Sequence, residues 1–186
     1  MSSGIPLSFE QELGVLAHGP RVLSAAPGIG IGLRCVFAHT DGLMLCVQVK
    51  ATGQTARDAY QSGPHLGSGR SAHPPRPALP PSEVRLQVPA SAGGSIPDAQ
   101  PWPWLEHHVN HTTYGTPGAS PDHPDHPDRP GTALYVQELN LWWPVLPADA
   151  RLPLHAGWPE IGAPMSTTVL ALHHLDRLAQ EVIKLR

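Results

Sequence analysis

The sequence predicts a mainly β fold: an antiparallel sheet, sandwich-like, with a C-terminal amphipathic helix and a long loop region rich in proline and histidine. Three observations lead to this prediction. Apolar residues recur at every second position in several segments, which is the period of β-strands. No helical pattern separates successive strands, and this favours antiparallel pairing. The last segment of the chain instead carries apolar side chains at helical spacing.

The first predicted element pair is a hairpin. One strand begins at Ile29 and has apolar residues at its odd positions, a second begins at Leu43, and Thr40, Asp41 and Gly42 between them are turn residues. We predict a three-residue loop that pairs His39 with Leu43, because this register places both apolar sets on one face. Such a loop requires a left-handed backbone at Gly42.

Two features of this hairpin could indicate a functional site, namely its two cysteines and its closely spaced glycines. Each also has a purely structural explanation. The predicted register puts Cys35 and Cys46 on opposite faces, so we expect free thiols, with Cys35 as a small apolar residue of the buried face. Gly30 and Gly32 show the spacing of a dinucleotide site, but a strand continues where that site needs a helix. We expect these glycines where another element packs close to the strand's second face.

The remaining elements are read from the same periodicities. Ser8 and Gln11 form a possible capping box for a short helix near residues 9–16. Short alternation predicts a strand at 83–88, and longer alternation predicts two strands that begin near Leu134 and Leu152. Ser166 or Thr167 is expected to cap the terminal helix, whose apolar stripe is Leu172, Leu175, Leu178, Ala179 and Val182.

Chain length and composition favour a single β-rich domain over residues 1–186. Two segments, 52–82 and 89–131, lose all periodicity and are rich in proline and glycine. Such composition buries too little apolar surface to offset the entropy of ordering, and loops of this length are uncommon in compact domains. We therefore predict that both segments are long loops or flexible inserts.

The net charge and the hydropathy of the sequence limit the kinds of partner that we expect for this protein. The formal net charge of −3 offers no basic footprint for a phosphate backbone, so we expect no nucleic-acid partner. The N-terminal residues lack the features of a signal peptide, and no window is long and apolar enough for a transmembrane helix. We expect a cytoplasmic protein with no membrane contact.

Histidines are the residues of this sequence with the clearest capacity for metal binding or acid–base chemistry. His107, His108 and His111 lie in the run EHHVNH, and a helix there would place His107 and His111 on one face, as in zinc sites. Neighbouring prolines and a glycine limit that helix to one or two turns. The run DHPDHPD at 122–128 suits loose binding of a divalent transition metal such as zinc, without selecting one. A polar, exposed loop is the favoured interpretation of both clusters.

The second half of the chain resembles a family of small actinobacterial proteins. The shared features are Trp143-Pro144-Val145-Leu146-Pro147, then Trp158-Pro159 with Gly162 and Pro164, which together form a W-P-x-L-P … W-P-x-x-G-x-P segment before a terminal helix. The hairpin at 38–43 fits as well, and the histidine-rich middle has no counterpart. That family is uncharacterised, with no assigned activity. The resemblance implies an antiparallel, sandwich-like sheet followed by a helix, and it transfers no active site.

No segment presents a catalytic constellation or a recognisable cofactor motif. We therefore expect a non-enzymatic structural or protein-interaction module without a cofactor, although the sequence leaves catalysis open. Its partner would be another protein or a second copy of the chain. Trp102 and Trp104 are either contact residues or, as we favour, rings that fasten a loop onto the domain. The alternative is a metal-binding or metal-dependent protein that uses His107, His108 and His111.

Overall fold

The structure, a computed structural model, describes residues 11–62, 84–88, 107–115 and 133–185, and for 107–115 it describes the backbone alone. Most of these residues lie in strands, and all strand pairs among them are antiparallel. The predicted mainly β class is therefore confirmed. The described strands are β1 (Glu12–Leu13), β2 (Val15–His18), β3 (Arg21–Ala26), β4 (Ile29–His39), β5 (Gly42–Thr52), β6 (Arg85–Gln87), β7 (His107–Gly115), β8 (Leu134–Trp143), β9 (Arg151–Trp158), β10 (Ala163–Ala171) and β11 (Ile183–Lys184).

The larger sheet has the order β2-β4-β5-β8-β7, and β3 also pairs with β4. Strands β2 and β3 lie on the same side of β4: β2 pairs with its C-terminal half and β3 with its N-terminal half. Gly19 and Pro20 separate the two short strands. Proline has no backbone N–H to donate to a ladder, which explains why the edge is divided there.

The smaller sheet has the order β10-β9-β6, and it meets the larger sheet where β10 approaches β3. Side-chain hydrogen bonds link these two strands instead of a backbone ladder. The Ser24 hydroxyl donates to the carbonyl oxygen of Pro164 at 2.7 Å, and the Ser166 hydroxyl donates to that of Leu23. The short strands β1 and β11 pair with each other at one end of the molecule.

The buried faces of the two sheets contribute to one hydrophobic core. Trp158 is its largest completely buried side chain, and the ring of Tyr135 meets it edge-on with centroids 6.2 Å apart. This shared core is the sandwich-like arrangement that the sequence predicts. The central strands supply most of the core through Ile31, Leu33, Val36, Leu43, Leu45, Val47, Val49, Leu139, Leu141, Leu152 and Leu154.

A β-bulge at Arg34 determines the register of the front hairpin. Leu33 pairs with Val47 and Cys35 pairs with Cys46, so Arg34 is an extra residue on β4. The buried positions of β4 are odd-numbered before the bulge and even-numbered after it, at Val36 and Ala38. The sequence conceals this change, because residues on both faces are apolar between positions 35 and 38.

The predicted three-residue loop is wrong. His39 pairs with Gly42, so the loop consists of Thr40 and Asp41. The left-handed glycines of the described residues are Gly28, Gly53 and Gly162, and Gly42 has an ordinary backbone. Close approach explains the glycine instead, because a Cβ atom at position 42 would lie 2.5 Å from the carbonyl oxygen of Trp143.

Two segments predicted as loops contain regular structure. Helix α1 (Gly53–Ser62) occupies the start of the predicted 52–82 loop and packs against β5 and β8 through buried Ala56, Ala59 and Ser62. Its buried side chains are small, so the sequence shows no apolar stripe. Strand β7 lies within the predicted 89–131 loop, where pairing with β8 satisfies its backbone groups. Apart from Thr52 in β5, the rest of both segments lies outside the described residues.

Helix predictions at both ends need correction. In the described part of the segment 9–16, β1 and β2 replace the predicted helix, because each pairs with a strand distant in sequence. Ser166 and Thr167 lie in β10 rather than at a helix cap, and β-branched residues at 167–169 favour that strand. The C-terminal helix is present but short, at α2 (Leu178–Glu181). Neither described helix is long and apolar enough to cross a membrane.

We predict that Gly42→Ala destabilises the protein by about 1–3 kcal/mol, because the added methyl group would overlap the backbone of Trp143 and the ring of Trp142. Gly30→Ala is the matched control. A Cβ atom at position 30 meets nothing within 4 Å, so the unfolding free energy should stay unchanged or rise by up to about 1 kcal/mol. Urea unfolding measures both, and equal effects would contradict the register described here.

Candidate functional site

The outer face of the larger sheet carries a groove with a volume of about 690 Å³. Strands β3, β4 and β5 form it, on the opposite side of the sheet from the hydrophobic core. The groove follows β3 from Pro20 to Ala25 and reaches Lys50 on β5. Its lining includes both apolar and charged residues.

Two glycines of β4 form the floor of the groove. Gly30 lies between Ala25 and Lys50, and Gly32 lies between Val22 and Gln48. A Cβ atom at Gly30 would enter open space, and one at Gly32 would make an ordinary contact of 3.6 Å with the carbonyl oxygen of Arg21. The prediction that another element packs close to these glycines is therefore wrong at Gly30. Their missing side chains leave the groove open instead.

Basic residues are among those that line the groove around this floor. Arg21, Arg34 and Lys50 line the groove, and no described acidic residue does. Arg34 forms an ion pair with Glu138 at 3.0 Å, and the side-chain amide of Gln48 donates to the same carboxylate at 2.9 Å. Within the described part of the chain, Arg21 and Lys50 have no ion pair. The groove therefore has two positive charges that its own neighbours do not balance.

The groove combines these charges with apolar surface. Val22 is 68% exposed beside it, and Ala25 is also exposed. Carboxylates or other anions can pair with Arg21 or with Lys50, and an apolar group can cover Val22. None of the groove's lining residues is a histidine, cysteine or carboxylate that would act as nucleophile or general base. This arrangement is suited to binding.

The cysteines lie farther along the same outer face. Cys35 and Cys46 are register partners, and both are half-buried. The prediction that they occupy opposite faces is wrong because the bulge at Arg34 shifts Cys35 by one position. Both are free thiols, as predicted. Burial, together with the neighbouring Cys35, raises the pKa of Cys46 to about 12.

A buried acid and a buried histidine lie at the β4–β5 turn, a pairing that sequence analysis missed. The carboxylate of Glu12 accepts hydrogen bonds from the backbone N–H of Thr40 at 3.2 Å and from its hydroxyl at 2.9 Å. His39 contacts the ring of Trp142 edge-on, with centroids 5.4 Å apart. Burial lowers the pKa of His39, and the carboxylates of Glu12 and Asp41 oppose this shift only in part.

The predicted metal ligands His107, His108 and His111 lie in β7, so the helical geometry proposed for them is wrong. The ladder of β8 holds this segment extended, with His107 opposite Leu141, His108 opposite Asn140 and His111 opposite Glu138. Side chains of β7 are outside the described part of the structure, as are Trp102, Trp104 and the 122–128 run. Among described side chains, no group of three histidine, cysteine or acidic residues is placed to hold a metal. Metal binding by these histidines stays a prediction.

Comparison of the chain with protein-family models, curated proteins and solved structures gives no match in any of the three. The class of this protein therefore follows from its fold and its groove alone. It is a small β-sandwich protein with an open, basic groove on one outer face. The resemblance to the actinobacterial family, including its W-P-x-L-P segment, stays a prediction.

We predict that His39 makes stability pH-dependent below its ordinary pKa of 6.5. As pH falls through 6.5, the unfolded chain binds a proton that native His39 resists, so the unfolding free energy falls until the pH passes the native pKa. Above this window the contribution is constant. Urea unfolding at about pH 7.5 and about pH 5 should show a smaller loss in His39→Gln than in the wild type.

The matched control is His173→Gln, which replaces an exposed histidine and should lose as much stability as the wild type over the same interval. A His39→Gln protein whose pH dependence equals that of the wild type would contradict the assignment.

Proposed function

We propose that this protein is a cytoplasmic, non-enzymatic protein-interaction module whose groove binds an extended, acidic segment of a partner protein. The observation that carries the proposal is the charge of the groove: three basic residues line it, and no described acidic residue does. Because the chain as a whole is acidic, with a net charge of −3, this local excess of positive charge is opposite in sign to the rest of the protein.

Arg21 and Lys50 are the residues expected to contact the partner's carboxylates. Both are exposed, and neither has an ion pair with a described residue. Arg34 contributes less, because the carboxylate of Glu138 already neutralises its charge at 3.0 Å. Attraction of this kind is screened by salt, so affinity should fall as ionic strength rises.

The shape of the groove favours an extended peptide over a compact ligand. It follows β3 from Pro20 to Ala25, and an extended segment of about five residues matches that length at about 3.3 Å per residue. Alternate side chains of such a segment point the same way, so every second residue can face the groove, and acidic residues at those positions can meet Arg21 and Lys50. Gly30 and Gly32 let the partner's backbone approach the sheet closely.

The test uses a short fluorescein-labelled peptide of alternating glutamate and valine, with an otherwise identical lysine–valine peptide as the charge-reversed probe. Fluorescence anisotropy should show binding of the acidic peptide alone. Arg21→Ala combined with Lys50→Ala should weaken it about 10-fold, as expected for two exposed charge contacts of up to about 1 kcal/mol each. Arg151→Ala, which removes an exposed arginine from β9, is the control and should leave binding unchanged.

Gly30→Val provides a second, independent variant. A Cβ atom at position 30 meets no described atom within 4 Å, and valine favours strands, so the protein should fold normally. The added side chain should cover the floor of the groove and weaken binding of the acidic peptide at least about 10-fold. Equal affinity for both peptides, or unchanged affinity in both groove variants, would refute the proposal. Sedimentation would show whether the protein self-associates. If it does, and if Gly30→Val abolishes the self-association, the groove binds a second copy of the chain and not an acidic partner.

A further inference from the structure

The bulge at Arg34 brings the two cysteines of the chain together. Without the extra residue, the register of Leu33 with Val47 would continue, and Cys35 would lie opposite Leu45 instead of Cys46. With it, the cysteines are direct cross-strand partners. Both remain half-buried rather than sealed in the core, so a small reagent can reach them.

We propose that Cys35 and Cys46 form a reversible cross-strand disulfide, which makes the outer face of the sheet a redox-sensitive site. Directly opposed residues of an antiparallel pair have Cα atoms about 4.5–5.5 Å apart, and a disulfide accepts Cα separations of about 4.4–6.8 Å. The bond can therefore form without moving the strands.

The oxidant is a low-molecular-weight disulfide such as oxidised glutathione. The Cys35 thiolate attacks one sulfur of the reagent, which breaks the reagent's S–S bond and releases the first small thiol. The Cys46 sulfur then attacks Cys35 in this mixed disulfide, forms the protein S–S bond and releases the second small thiol. Two protein thiols are thus oxidised to one disulfide, one reagent disulfide is reduced to two thiols, and both protons end on the released thiols.

The two cysteines are geometrically equivalent, because both are half-buried members of one cross-strand pair. The same steps therefore balance with Cys46 as the first attacker and Cys35 as the resolving thiol. In each case the proton of the resolving thiol passes to the departing thiolate. The reverse sequence with an excess of reduced thiol reopens the bond.

The test incubates the full chain with oxidised or reduced glutathione and follows intact mass, thiol labelling and thermal unfolding. We expect the oxidised protein to lose two hydrogen atoms and two reactive thiols, to melt about 5–10 °C higher, and to recover on reduction. Cys46→Ser and Cys35→Ser should each stop at a mixed disulfide on the remaining cysteine, without the loss of two hydrogen atoms.

Three outcomes would overturn the proposal. They are a wild-type protein that keeps both thiols in excess oxidant, one that accumulates glutathione adducts without losing two hydrogen atoms, and one whose cysteines join two chains. The measurement on the wild type needs no substitution, so a variant that fails to fold would leave the test intact. Peptide binding is not measured in this experiment. The disulfide proposal can therefore fail while the proposed binding of an acidic partner holds, and the reverse is also true.

Discussion

One extra residue in β4 fixes the register on which the rest of this structure depends. Because a strand alternates its side chains between two faces, inserting Arg34 exchanges the faces for every residue after it. Val36 and Ala38 enter the core, where they join Leu45 and Leu43 of the neighbouring strand. The same shift places Cys35 opposite Cys46 and directs the exposed Arg34 towards Glu138 at the rim of the groove. Core packing, the thiol pair and part of the groove's charge pattern thus have a common origin.

The two faces of the larger sheet have different physical roles. The inner face joins the smaller sheet in a core that excludes water completely around Trp158 and Leu154. The outer face is polar at Gln48 and Glu138, basic at Lys50, and bare at the two glycines. On that side, the side chains of Arg34 and Gln48 donate hydrogen bonds to the carboxylate of Glu138. These bonds link neighbouring strands of the sheet on the face that is open to solvent.

Sequence periodicity predicted the mainly β class and the positions of β4, β5, β8 and β9, because each of these strands buries a long alternating row of apolar side chains. It failed where tertiary contacts outweigh local pattern. Helix α1 packs through Ala56, Ala59 and Ser62, which leave no apolar stripe, and β7 depends on the ladder of β8. The bulge was hidden because Cys35, Val36, Phe37 and Ala38 are all apolar. The groove was not predictable either, since Arg21 and Lys50 approach each other only through the pairing of three strands.

The bare floor at Gly30 has a consequence for how this surface can change over time. No described atom lies within 4 Å of the position that a Cβ atom would take there, and the φ angle of Gly30 is not left-handed. Single-nucleotide changes at this codon could therefore make the cleft shallower, more apolar or charged while the interior stays untouched. The chemistry of the outer face at this position is therefore separable from the packing that holds the fold together.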